Sequence, residues 1–162
     1  MSMFKLRRIW FLSNFLAVIS VLFICFTAEV IAGNWLITHE EAKMQIRDGS
    51  YADPISAIEG SGPVIVVKRP KMLQRLSSPI DILVSFEPGV NGGIADMQTL
   101  KVTLVGWIDI DITGRLTKYI SGTNLDVKQA DLPSGDHRLR MSIKDVAGKV
   151  NERDVIITVM KK

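Results

Sequence analysis

Asp109 and Asp111 form the pair of acidic residues whose spacing best suits metal binding. In an extended strand, residues i and i+2 point to the same face, so the two carboxylates would lie side by side. Calcium prefers several oxygen ligands, and an acid pair followed by a glycine is typical of the start of a calcium loop. No acid follows at the spacing that a full loop needs. The alternative is an amphipathic strand with its acids in solvent and with Ile108, Ile110 and Ile112 inside.

The adjacent Asp136 and His137 are the other pair that could do chemistry, as an acid and a base. Neighbouring residues of a strand point to opposite faces, which is poor geometry for a shared proton. His39 lies at a predicted helix start without an obvious partner. The sequence also lacks a phosphate-binding glycine loop, a serine-nucleophile elbow and zinc-ligand spacing. We therefore expect no catalytic residues, no enzyme activity and no cofactor.

Four further residues could bind a ligand. Arg138 and Arg140 share one face of a predicted strand, and Lys101 could lie beside them, which would make a patch for an anion. A solvated sheet face that resists edge-to-edge aggregation is the alternative. Trp107 follows a predicted strand, where burial in the core is the expectation and stacking against a sugar is the alternative.

The charge of the chain is concentrated at its beginning. The sequence has 162 residues, 20 Lys and Arg, 17 Asp and Glu, and a formal charge of +3. Residues 1–32 contain three of the bases and one acid, so residues 33–162 carry 17 bases and 16 acids. A nucleic-acid-binding protein would concentrate basic residues on the domain itself. We therefore expect no nucleic-acid partner.

Residues 1–32 have the pattern of an export signal. Lys5, Arg7 and Arg8 precede an almost wholly apolar run over residues 9–28. The triplet Val30-Ile31-Ala32 would suit cleavage after Ala32, which predicts a signal peptide. An uncleaved membrane anchor is the alternative, because about 20 apolar residues can cross a bilayer. Cys25, the one cysteine, follows the bulky Ile24, which disfavours a lipoprotein. All three interpretations, a signal peptide, a membrane anchor or a lipoprotein, place the domain in the periplasm or outside the cell.

Residues 33–61 are predicted to be a short helix and a linker. Thr38 and Glu41 have the spacing of a capping box, which predicts a helix over Glu40–Arg47 outside the core. Residues 48–63 are rich in Gly, Ser, Pro and Asp, which is typical of a loop.

Residues 62–162 alternate apolar and polar side chains between glycine and proline turns, which predicts an all-β antiparallel sandwich of about seven strands. The predicted strands lie near residues 64–67, 80–86, 100–105, 116–120, 125–128, 138–144 and 155–160. The predicted core residues are Val66, Ile82, Val84, Leu104, Leu139, Met141 and Ile157.

The end of the chain resembles bacterial immunoglobulin-like (Big-type) domains. The matching segments are residues 132–139, Leu-Pro-Ser-Gly-Asp-His-Arg-Leu, and residues 143–149, Ile-Lys-Asp-Val-Ala-Gly-Lys, where Lys149 replaces the usual asparagine. Residues 63–70 and 79–86 are similar to the first two strands of such domains, and residues 35–42 to the start of small exported bacterial proteins that carry one. The resemblance implies an immunoglobulin-like fold and leaves the function open.

These observations predict a non-catalytic accessory module that contacts an envelope or periplasmic protein through loops or sheet edges. Its only contact with the membrane would be an uncleaved N-terminal segment. A carbohydrate-binding sandwich is the alternative, and it requires an exposed aromatic platform that Trp107 and Tyr119 could provide.

Overall fold

The computed structural model describes residues 35–45, 57–58, 60–71, 74–89 and 93–161. All of them belong to one compact unit, which spans Gly33–Lys162. The predicted signal segment of residues 1–32, most of the predicted linker and the last two residues of the predicted helix lie outside the described residues. No helix in the described ranges has the length and apolar character needed to cross a bilayer.

Strands make up most of the regular structure. The helices are α1 (His39–Lys43) and α2 (Thr113–Leu116), and a single 3-10 turn (Thr117–Tyr119) follows α2. The strands are β1 (Ala57–Ile58), β2 (Val64–Arg69), β3 (Arg75–Leu76), β4 (Ile80–Glu87), β5 (Ala95–Leu104), β6 (Ile110–Asp111), β7 (Ile120–Ser121), β8 (Asn124–Ala130), β9 (Gly135–Asp145) and β10 (Val150–Val159).

The strands form two sheets. One sheet has the order β1-β10-β9-β5-β6, and β3 also pairs with β10; the other has the order β2-β4-β8-β7. Every pairing is antiparallel except that of β3 with β10. The prediction of an all-β fold with mainly antiparallel strands is therefore confirmed.

The core lies between the sheets, and of the seven predicted core residues only Val66 is not fully buried. Ile82, Val84, Leu104, Leu139, Met141 and Ile157 are buried as expected. Val66 is only half-buried, and its neighbour Ile65 is buried instead, opposite Phe86 of β4. The run Val64–Val67 has no polar residue to fix which side faces inward, so the sequence pattern could not set its phase.

The segment before the predicted sandwich contributes to the core. Leu36 and Ile37 have relative exposures of 4% and 0%, and the amide of Leu36 donates to the carbonyl of Asp131 at 3.1 Å. The capping box of Thr38 and Glu41 is present at the start of α1, which buries none of its own residues. Helix α1 is shorter than predicted, because it ends at Lys43 and is capped by Met44.

The region after β5 differs from the prediction. Residues 116–120 were expected to form a strand, but they form the end of α2 and the 3-10 turn, and strand structure resumes only at Ile120. The helical turn points Leu116 into the core. The hydroxyl of Thr113 accepts a hydrogen bond from the amide of Val102 at 2.8 Å. Helix α2 therefore covers part of the open edge of β5. Of the isoleucines expected inside, Ile112 is buried and Ile110 packs on the core, but Ile108 is 61% exposed.

Candidate functional site

The exposed apolar side chains of greatest interest lie at one end of the sandwich, which we call the Trp107 end. Strand β9 begins there, and its antiparallel neighbours β5 and β10 end there. Strand β8 ends at the same place, and the next residue, Asp131, forms a bridge with Trp35. The Trp107 end therefore comprises residues 35–45, 105–109 and 131–135.

Trp107 is 84% exposed, so the prediction that it lies in the core is wrong. The register of β5 with β9 ends at Leu104 and Leu139, and one further hydrogen bond joins the amide of Val105 to the carbonyl of Arg138 at 2.8 Å. Trp107 lies beyond this paired part of β5. Its backbone is nevertheless fixed, because its amide donates to the carbonyl of Met44 at 3.0 Å. Ile108 and Met44 are 61% and 45% exposed. The loop thus presents an apolar tip on a backbone held by hydrogen bonds.

Asp109 and Asp111, the candidate calcium ligands, accept hydrogen bonds from nearby backbone amides. Asp109 accepts from the amide of Gly106 at 3.3 Å, and Asp111 accepts from that of Thr113 at 2.9 Å. Hydrogen bonds from the Thr113 side chain and backbone hold the pKa of Asp111 below its usual value. Nowhere in the described ranges do three or more His, Cys, Asp or Glu side chains form a group that could hold a metal ion.

His137 is a buried structural residue with a relative exposure of 1%. Its Nε2 lies 2.8 Å from the carbonyl oxygen of Pro133, and its Nδ1 lies 2.6 Å from the side-chain amide of Gln45. In the amide orientation that satisfies all partners, Gln45 donates to Nδ1 and accepts from the amide of Arg138. Burial lowers the pKa of His137, which favours the neutral ring. Asp136 is exposed on the opposite face, as predicted.

Arg138 and Arg140 are bound to one carboxylate. Both guanidinium groups donate to Asp154 of β10, at 2.9 Å from each Nε. Burial opposes ionisation of Asp154, but the hydrogen bonds from Arg140 and Arg138 outweigh it and lower its pKa. Lys101 is exposed on β5, where its cross-strand partner is Ser142 rather than either arginine. The proposed anion patch therefore contains its own counter-ion.

The open edge of β2 is covered by side chains of the opposite sheet. Arg153 donates to the carbonyl of Ile65 at 2.6 Å, and Asn151 donates to the carbonyl of Pro63 at 2.8 Å. These carbonyls would be needed to pair with an added strand. Partner binding by strand addition at β2 is accordingly disfavoured.

A groove of about 300 Å³ lies beside α2, and the sequence patterns did not predict it. We call it the Trp35 groove; its walls include Trp35, Gly114, Arg115, Lys118, Tyr119 and Val127. Arg115 connects its two sides by donating to the carbonyl of Leu36 at 2.9 Å and to the carboxylate of Glu41. These residues are far apart in the chain, and only the docking of the N-terminal segment brings them together.

Comparison of the chain with protein-family models, curated proteins and solved structures gives no significant match.

Proposed function

We propose that the chain is an exported, non-catalytic binding module that contacts another envelope protein through the Trp107 end. The observation that carries this proposal is the 84% exposure of Trp107 on a loop tied to Met44. Tryptophan is enriched among the residues that dominate protein interfaces, because its large apolar surface gains free energy when it is covered. A fixed backbone also lowers the entropic cost of binding.

The chemistry of the other residues supports a non-catalytic role. Both ring nitrogens of His137 have partners inside the protein, and the side chain is 1% exposed. A general base must come within hydrogen-bond reach of a substrate, which this ring cannot do. Arg138 and Arg140 are likewise bound to Asp154.

The strand order supports an immunoglobulin-like sandwich. In such domains, strands A, B, E and D form one sheet and strands C, F and G form the other. Assigning β2, β4, β5, β7, β8, β9 and β10 to A–G reproduces both orders, β2-β4-β8-β7 and β5-β9-β10. In immunoglobulin variable domains the B–C and F–G loops bind ligands at one end of the sandwich. Under this assignment Trp107 follows strand C and lies at the other end, so the proposed surface rests on the exposure of Trp107.

The basic and apolar pattern of residues 1–32 supports export to the periplasm or beyond. Cleavage after Ala32 can be tested by measuring the mass of the protein purified from cells. A species that begins at Gly33 is expected, whereas one that begins at Met1 would rule out a cleaved signal peptide.

Site-specific photocrosslinking tests the binding surface. A photoreactive residue at position 107 should give a discrete adduct with an envelope protein in intact cells. The matched control is position 146, because Val146 is 75% exposed but lies on the β9–β10 turn at the opposite end. Trp107→Ala should weaken binding of the crosslinked partner about tenfold or more, the range expected for an interface hot spot. Its urea unfolding midpoint should stay unchanged.

Equal adduct formation from positions 107 and 146 would show non-specific contact and would contradict the proposal. Unchanged affinity of the Trp107→Ala variant for the purified partner would also contradict it.

Carbohydrate binding is the second candidate function. It is favoured by the exposed aromatic surface, because Trp35 is 42% exposed and lines the Trp35 groove together with Tyr119. Aromatic rings pack against the apolar faces of ligand rings, and concave sites with a few polar groups are typical of small-ligand binding.

A further inference from the structure

The aromatic residues of the Trp35 groove are supported by neighbouring side chains. The rings of Trp35 and His39 contact each other edge to face, with centroids 4.8 Å apart, which supports the indole from one side. Tyr119 packs partly on the hydrophobic core. Leu36 next to Trp35 is buried, so the segment that bears the indole is anchored in the fold. The groove therefore has a preformed surface for an apolar ring face.

The lining of the groove includes two cations, Arg115 and Lys118. Arg115 is paired with Glu41, and hydrogen bonds from Arg115 lower the pKa of Glu41 to about 2, so this carboxylate stays ionised. Lys118 forms no ion pair with the acids in the part of the chain that the structure describes. Its Nζ lies 4.8 Å from the centroid of the Tyr119 ring. Glu41 neutralises Arg115, so the ammonium group of Lys118 is the cation of the lining that can pair with an acidic ligand.

We propose that the Trp35 groove binds one carboxylated sugar unit, a uronic acid, within an acidic polysaccharide. The apolar face of the sugar ring packs on Trp35, and its carboxylate meets the ammonium of Lys118. A volume of about 300 Å³ is at the lower limit for ligand pockets, which suits one ring with its neighbours in solvent. This inference rests on the second candidate function, to which it adds a site and a charge; it does not depend on the protein contact at Trp107.

Gly114 provides a means to block the groove without strain. A side chain added at Gly114 would meet no atom within 4 Å of its Cβ, and its φ is not in the left-handed region. Gly114→Trp should therefore fill the groove, whereas Gly114→Ala is the matched control that leaves most of its volume open.

The test uses calorimetric titration of the protein as purified from cells with three probes: trigalacturonate, neutral galactotriose and a glutamate-rich peptide. Trigalacturonate is expected to bind at least about tenfold more tightly than either of the others, with an affinity that falls as salt increases. Lys118→Gln should abolish the preference for the acidic sugar. Gly114→Trp and Trp35→Ala should abolish binding, and Gly114→Ala should retain it.

Each other outcome overturns a defined part of the proposal. Equal binding of the acidic and neutral sugars would overturn the role of Lys118 but leave carbohydrate binding intact. Failure of both sugars to bind would overturn the site and the second candidate function together. Tighter binding of the acidic peptide would identify a protein ligand instead. Full binding by Gly114→Trp would place the site elsewhere. Because Trp35→Ala could affect folding, Gly114→Trp and Lys118→Gln decide the result if its urea midpoint changes.

Discussion

His137 is a buried side chain whose two ring nitrogens both have hydrogen-bond partners within the protein. Its ring connects the Pro133 carbonyl, just before β9, with Gln45, just after α1. The buried ring favours its neutral form, because charging it would cost solvation without a carboxylate in contact. The position of this histidine at the start of a strand was predictable, but its partner Gln45 was not.

This burial predicts a loss of stability in mild acid. The unfolded chain protonates His137 near its ordinary pKa of 6.5, whereas the folded protein protonates it at a lower pH. Below pH 6.5 the unfolded state therefore holds more protons, and the free energy of unfolding decreases as the pH falls towards the folded-state pKa. Urea titrations at pH 7.5 and 5.5 should show a lower free energy of unfolding at pH 5.5.

His137→Gln removes the titrating group and should make the free energy of unfolding nearly equal at the two pH values. At pH 7.5 this variant should be less stable by about 1–3 kcal/mol, because buried polar partners lose their hydrogen bonds. His39→Gln, at the other, exposed histidine, should keep the pH dependence. The explanation is wrong if His137→Gln retains the full pH dependence. Glu41, Asp111 and Asp154 have lowered pKa values, so their contributions are lost only at more acidic pH.

At the scale of elements, the N-terminal segment Trp35–Gln45 forms part of the domain. Ile37 is completely buried, Leu36 pairs with Asp131, and Arg115 holds Glu41 of α1. The segment also supplies the carbonyl that fixes Trp107 and one wall of the Trp35 groove. Both candidate binding surfaces therefore depend on its docking.

Ile37→Ala should lower the free energy of unfolding of the whole domain by about 2–5 kcal/mol, the usual cost of a cavity at a buried isoleucine. Met44→Ala is the matched control on the same segment, and at 45% exposure it should cost less than about 1 kcal/mol. The free energies of unfolding of both variants can be measured by urea unfolding monitored by circular dichroism. If Ile37→Ala left the free energy of unfolding unchanged, the segment would not be an integral part of the fold.

At the scale of the whole molecule, the two candidate surfaces and the N-terminal segment share one end of the sandwich. The opposite end carries the β9–β10 turn, in which Asp145 accepts from the amides of Ala147 and Lys149 at 2.9 and 2.8 Å. Gly148 has a φ of 81° in this turn, which explains the glycine there. The two candidate surfaces and this turn thus lie at opposite ends of the sandwich.

Truncation tests which residues make up the folding unit. A fragment of residues 33–162 should unfold in one cooperative transition. A fragment of residues 62–162, the sandwich as delimited by its sequence pattern, lacks Leu36 and Ile37 and should melt at least about 10 °C lower, since each kcal/mol shifts the midpoint by about 4–8 °C. Removal of Lys161 and Lys162 from the longer fragment is the control and should leave the midpoint unchanged. Calorimetry distinguishes these outcomes, and equal midpoints would contradict this definition of the unit.

The sequence by itself determined the all-β class, most of the inward-facing residues and the turns. These properties follow from local chemistry: alternation selects one face of a strand, and glycine and proline mark where strands end. Where a segment was uniformly apolar, as in Val64–Val67, the choice between Ile65 and Val66 depended on the register with β4.

Only the tertiary structure decided which side chains remain exposed and which residues meet. Trp107 and Ile108 are apolar, but the paired strand ends before them, so hydrophobicity alone could not predict their exposure. Asp154 binds Arg138 and Arg140 because the register of β9 and β10 brings them together. The Trp35 groove depends on contacts between residues far apart in the chain, which no local pattern encodes.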